Sequence, residues 1–180
     1  IKGLQIGGDG RVWTAGFQDL MRLEGDTFKK VITADFSELG GSVEDFAVTA
    51  DGQIWAATYK GVSHHDGKAW STEEKANIGA GDDLLQGIAV DAAGKVWVAS
   101  THKVHVRDGG VWKDVDLGKA GRGTLYFEDL ELAPDGSVYA LASSALFHIS
   151  PTLDKVEKVK MAGMNSYGSY GSLSLSTNGG

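Results

Sequence analysis

The chain has 180 residues, 42% of them hydrophobic and 23% charged, with a formal net charge of -7. That apolar share suffices for a packed core, and the negative balance with scattered Lys and Arg argues against a nucleic-acid or anionic-membrane surface. The absence of cysteine excludes disulfides, thiolate metal sites and cysteine catalysis, and no stretch approaches the roughly 20 consecutive apolar residues of a membrane-inserted helix.

In chain order, Leu4 and Ile6 alternate with more polar neighbours, which predicts a half-buried strand. Gly10 then marks a tight turn, and a second strand runs through Val12 and Trp13. A third strand starts at Leu20; a turn at Glu24-Gly25-Asp26 leads to a fourth, opening on Phe28. The whole unit then recurs every 42 residues. Trp13, Trp55 and Trp97 keep this interval with Tyr139 in the next place, as do Gly10, Gly52, Gly94 and Gly136, and Phe28, Trp70 and Trp112. A period of this size marks a repeat architecture in which no unit buries its apolar face alone. Four short antiparallel strands per unit predict an all-β fold, a β-propeller of four-stranded blades. The recurring aromatics are expected to pack between blades. Gly7-Gly8-Asp9-Gly10 lacks the helix and lysine of a phosphate loop and reads as a hairpin turn.

The string from Asp51 through Trp55 to Thr58, followed by Gly61-Val62 and Asp66-Gly67, resembles the two-component-regulator propeller repeat. Gly94 to Ser100 matches nearly as well. The first copy is looser, and the fourth departs, with Tyr139 for Trp and Ser150-Pro151 at the second turn. This resemblance implies a binding or sensing module attached to signalling proteins, and a periplasmic or extracellular location.

The repeats fall at 1–42, 43–84, 85–126 and 127–169, with 170–180 repeating a first strand once more. The chain therefore reads as a single propeller unit or a piece of a larger propeller. Its expected partners are a second copy of itself or missing blades, because an open ring leaves strand edges and a blade face exposed.

Propeller ligands are expected on the face formed by the interblade loops and the turns between second and third strands. The interblade loops here are residues 33–40, 76–83 and 117–123, and loops on a rigid scaffold concentrate function. Acidic residues gather where they enter the inner strands: Glu44 and Asp45, Asp82 and Asp83, Glu128 and Asp129. These are the candidate ligand-binding residues. Converging carboxylates there would suit Ca²⁺, though the plainer expectation is a solvated acidic rim and no cofactor. Five histidines (His64, His65, His102, His105 and His148) fall on or beside third strands, away from the channel. His64 and His65 point to opposite faces and cannot share a metal. No catalytic constellation can be assembled. The expected function is a non-enzymatic binding, interaction or sensing module. The alternatives are a metal-using propeller lyase or lactonase, with Glu44, Glu128 and Asp129 as its only nominees, or an engineered propeller fragment without activity of its own.

Overall fold

The computed structural model describes residues 3–16, 19–32, 39–119, 121, 124–160 and 171–174. Among the described residues, sixteen strands form four sheets of four. The first sheet holds β1 (Gly3–Ile6), β2 (Val12–Ala15), β3 (Leu20–Glu24) and β4 (Thr27–Ile32). The second holds β5 (Val43–Val48), β6 (Ile54–Thr58), β7 (Gly61–His65) and β8 (Trp70–Glu74). In the third are β9 (Leu85–Val90), β10 (Val96–Ser100), β11 (Val104–Asp108) and β12 (Val111–Asp114). The fourth comprises β13 (Phe127–Leu132), β14 (Val138–Ala142), β15 (Ala145–Ile149) and β16 (Val156–Val159). Each sheet is an antiparallel meander in sequence order. These are the blades of a β-propeller.

The turns between first and second strands explain the glycine period. Gly10, Gly52, Gly94 and Gly136 all have φ between 75° and 84°. Each donates its N–H to the carbonyl three residues back, on Gly7, Thr49, Asp91 and Ala133. An αL residue closing a tight hairpin is the geometry glycine adopts without strain. In the fourth blade the second turn runs from Ser150 to Lys155, and Leu153 takes φ 64° there without glycine.

Inner strands β5, β9 and β13 pack side by side, whereas fourth strands reach the next blade through side chains: Glu73 Oε1 lies 2.9 Å from Arg107 Nε, and Glu73 Oε2 accepts from Trp112 Nε1 at 2.8 Å. The blades thus fan out from a common axis. Three cores fill the gaps between them. Trp13 packs with Phe46 and Val48 of the second blade. Trp55 packs with Leu85 and Ile88 of the third, and Trp97 with Phe127 and Leu130 of the fourth. The three Trp side chains are 2%, 8% and 0% exposed. Tyr139 is half-buried, and Phe28 is among the exposed apolar side chains.

The repeat positions at the first blade behave differently. Leu4 and Ile6 are 67% and 78% exposed, while Phe46 and Ile88, equivalent to Leu4, are 1% and 3%. Nothing among the described residues covers that face of blade one. At the other end, residues 171–174 carry no strand, but the Leu173 N–H donates to Asp129 Oδ2 at 2.6 Å. The remainder of the expected fifth first strand lies outside the described residues, as do residues 33–38 of the first interblade loop. The second such loop is not irregular throughout: Lys75–Ile78 form a short helix, α1, closed by Gly79 at φ 84°. Ile78 is 1% exposed and joins the core between blades two and three.

Candidate binding face at the mouth of the inner strands

Register decides which side chains reach the mouth. The β5–β6 ladder shifts between Val43 and Asp45, and β13–β14 shifts between Phe127 and Asp129. Glu44 and Glu128 are therefore the extra residues of β-bulges. In the third blade the ladder passes from Gly87 to Leu85, so Gln86 is the equivalent bulged residue. A bulge re-aims its side chain and ends regular pairing, so one polar residue per blade is presented at the strand entrance. Just before each bulge stand Leu84 and Tyr126, 50% and 51% exposed. Their carbonyls accept the N–H groups of Thr101 and Ser143, and Ser42 accepts that of Tyr59 in the same way. Tyr59 is 63% exposed, and the Lys75 ammonium lies 5.2 Å from its ring centroid. Tyr126 also meets the His102 ring at 5.2 Å. One face thus gathers bulged polar residues with exposed aromatic and apolar neighbours.

Below the bulges, the carboxyls of Asp45, Asp129 and Glu131 lie close enough to sense one another. Asp45 Oδ1 accepts from Gln5 Nε2 at 2.8 Å, and its Oδ2 accepts the Ile88 N–H at 2.8 Å. One side chain therefore ties the inner strands of blades one, two and three. Water touches part of Asp45, yet protein packs closely around its carboxyl. Burial pushes its pKa up to about 7, with the negative charges of Asp129 and Glu131 adding to the rise. Glu131 is likewise pushed up to about 7, by burial and then by Asp129. Asp129 rises through burial, although the N–H groups of Leu173 and Leu130 oppose it. Glu131 was not legible in the sequence as a site residue; it is an acid inside a regular strand, and only the inward direction of β13 distinguishes it.

Asp82 and Asp83 are not brought to this cluster. Asp82 is exposed. Asp83 faces the turn after β10, where its carboxylate accepts from Ser100 Oγ at 3.1 Å and the His102 N–H at 3.0 Å. The His102 ring Nδ1 lies 2.7 Å from Asp83 Oδ1. Burial would raise the Asp83 pKa, but these bonds outweigh it and hold the group below the usual carboxylate range.

Beneath that pair, His105 Nε2 is 3.0 Å from Ser100 Oγ and its Nδ1 2.9 Å from Asp114 Oδ1. This is the connectivity of an acyl-transfer triad. Ser100 and His105 are, however, both 0% exposed, so no substrate carbonyl can reach the hydroxyl. Burial lowers the His105 pKa against the pull of Asp114. Blade two carries the same clamp in neutral form, Ser63 with Thr72 at 2.9 Å and with the Leu39 carbonyl at 2.8 Å. The motif is structural. His64 stacks on Trp55 at 3.9 Å between ring centroids and contacts Gln53 at 2.7 Å. Among the described residues, no three His, Cys, Asp or Glu side chains are placed to hold one metal ion.

The comparisons agree on architecture. No family model and no curated protein matches the chain. Solved structures do. A streptogramin B lyase superposes with a TM-score of 0.69 at 16% identity, over 89% of this chain and 54% of its own. Virginiamycin B lyase from Staphylococcus aureus gives 0.66 at 14%, over 89% and 55%. The extracellular domain of a one-component system from B. thetaiotaomicron gives 0.65 at 14%, over 90% and 22%. The fold is that of lyases and sensor domains alike. This chain spans about half the length of the two lyases and about a fifth of the sensor domain, and at such identity the likeness is one of fold.

Proposed function

We propose that the chain is a non-enzymatic binding or sensing module, and that its ligand sits on the face carrying Glu44, Gln86 and Glu128. The observation that carries this reading is the co-location of those bulged residues with exposed Tyr59, Leu84 and Tyr126. An apolar or aromatic rim with a few convergent polar groups is the usual make-up of a ligand site. The sensor-domain neighbours favour this reading and an extracellular or periplasmic setting. The open face of blade one fits completion of the ring by another copy or by further blades, which light scattering of the chain at several concentrations addresses. Thermal-shift screening of small molecules tests the site. Hits should lose their effect in Tyr126→Ala with Glu128→Gln and keep it in Phe28→Ala. Hits insensitive to the first pair would place the site elsewhere.

One observation favours the lyase reading. His102 is held by Asp83 and is 46% exposed at its side chain, as a general base would be. Turnover of a substrate that falls by at least about a hundredfold in His102→Ala would establish it. Calcium bound by Asp45 and Asp129 belongs to the same test set: chelator should lower the Tm if the ion is present, and an unchanged Tm refutes it.

A further inference from the structure

Two carboxylates at one repeat position make the same bond, and the second makes it to an unexpected donor. In blade two, Asp45 Oδ2 accepts the N–H of Ile88, on the inner strand of the next blade, at 2.8 Å. Asp129 holds the same repeat position in blade four, and its Oδ2 accepts the N–H of Leu173 at 2.6 Å. Leu173 continues the series Leu4, Phe46, Ile88 and Leu130, one inserted residue aside. Residues 171–174 therefore sit where the inner strand of a following blade belongs, although no further sheet stands there among the described residues.

The two end faces of the row of blades are bare in matching ways. At the interior junctions Trp13, Trp55 and Trp97, with Leu20, Val62 and Val104, are buried against the inner strand of the next blade. Their counterparts on blade four, Tyr139 and Leu146, are only half-buried. On blade one the complementary Leu4 and Ile6 are largely exposed, and Phe28 is 38% exposed. Trp70 and Trp112, at the Phe28 position, pack against interblade cores instead. The outer edge agrees. Interior edges are either polar, where Glu73 meets Arg107 and Trp112, or apolar, where Val115 and Ile149 share a core. Blade four offers Val159, paired with Leu146 as Glu73 is with Val62, and the exposed Phe28 of blade one suits it.

An alternation selects the occupant. At the Asp45 position the four blades read Gly3, Asp45, Gly87 and Asp129. At Gly87 the next inner strand comes so near that a Cβ would lie 2.8 Å from the Leu130 nitrogen, whereas the aspartates bridge by carboxylate. A second copy continues this order unbroken, with Gly3 following Asp129; the 171–174 segment places Ser172 there. We propose that the seat beside β13 receives β1 of a second copy, and that residues 171–174 are its removable stopper. The partner's Leu4 N–H replaces that of Leu173 on Asp129, and the partner's Leu4, Ile6 and Phe28 cover Tyr139, Leu146 and Val159. Made at both ends, this junction closes two copies of four blades each into one ring of eight, within the usual range for propellers. The proposal deepens, and rests on, the ring-completion part of the proposed function; the ligand site at the mouth is tested separately.

Leu173→Pro in the full chain removes the N–H that Asp129 accepts. Sedimentation equilibrium over a concentration series should show dimers at least about tenfold tighter than in the unchanged chain, because a tethered competitor is lost. A free peptide with the sequence of residues 171–180 should return the variant to monomer. Leu4→Asp with Ile6→Asp should abolish dimers of both the variant and the unchanged chain. Both side chains are exposed in the single chain, so an unchanged Tm at low concentration reports an intact fold. A variant with native Tm that stays monomeric throughout the series, dimers indifferent to the peptide, or dimers of either chain that survive the Asp pair overturn the proposal. Thermal-shift hits at the mouth would be unaffected by that result, so the two readings fail independently.

Discussion

Replacing Asp45 by Asn separates the proton-linked cost of the channel acids from their hydrogen bonds. Asn is isosteric, its Oδ1 can accept the Ile88 N–H, and the Gln5 amide can rotate to accept from its Nδ2. In the folded chain the Asp45 pKa lies at about 7, against 3.8 for the free group. Because the folded value is raised, the native state holds more protons than the unfolded chain between these two values. The stability this group contributes is then fully present below the unfolded pKa and is lost as pH rises through about 7. Each pKa unit corresponds to about 1.4 kcal/mol. Between pH 5 and 8 the wild type should lose at most about 3 kcal/mol relative to Asp45→Asn, with solvent screening at this part-exposed residue cutting this to about 1–2. Urea unfolding of both proteins at pH 5, 6, 7 and 8 gives the difference at each pH, so other titrating groups largely cancel. The variant should gain relative stability steadily up to pH 7 and plateau beyond. A difference that stays constant across the series, or that shifts in favour of the wild type at high pH, refutes the reasoning.

Other predictions rest on packing. Ile88→Ala should destabilise by about 2–5 kcal/mol, whereas Leu4→Ala at the equivalent exposed position should stay within about 0.5, both by chemical denaturation; equal costs would mean that blade one's face is covered in solution. Gly61→Ala places a Cβ 2.0 Å from the Glu73 carbonyl oxygen and should cost about 3 kcal/mol or more, read as a lowered Tm. His105→Ala strips Ser100 and Asp114 of a buried partner and should cost about 1–3 kcal/mol. Its acid sensitivity should change as well: with the folded pKa depressed, His105 contributes stability above pH 6.5 that is lost as pH falls toward the folded pKa, and the variant should lack this loss in a pH series.

The 42-residue period, the turn glycines and the two-residue alternation locate strands and blades because each is a local consequence of backbone geometry. The bulges were written there too, though less plainly. Val43-Glu44-Asp45-Phe46 and Phe127-Glu128-Asp129-Leu130 put two polar residues where alternation allows one, and that extra residue is the bulge. Glu44, Asp45, Glu128 and Asp129 were thus found by composition, while the reason for their placement lay in the register. Asp82 and Asp83 were grouped with them by charge, although they fall earlier in the repeat and one serves the His102 turn instead. Glu131 and the Glu73–Arg107 pair depend on contacts between blades, which no single copy of the repeat encodes. Helix α1 was hidden because four residues are too few for a periodic pattern; only Gly79 after Ile78 marks its end.

The unlike edges between blades bear on how a chain of near-identical units finds its order. The first three blades offer the same kind of Trp-bearing face, so a nascent chain could seat a blade against the wrong neighbour, a common failure of repeat proteins. Glu73 discriminates. Docked on blade four instead of three, it would meet Ile149 and bury a carboxylate with no cation or indole to receive it, a strongly unfavourable arrangement. A chain with its third and fourth repeats exchanged should therefore refold more slowly and less completely than the native order. The polar clamp at one edge acts as an address label, read during folding.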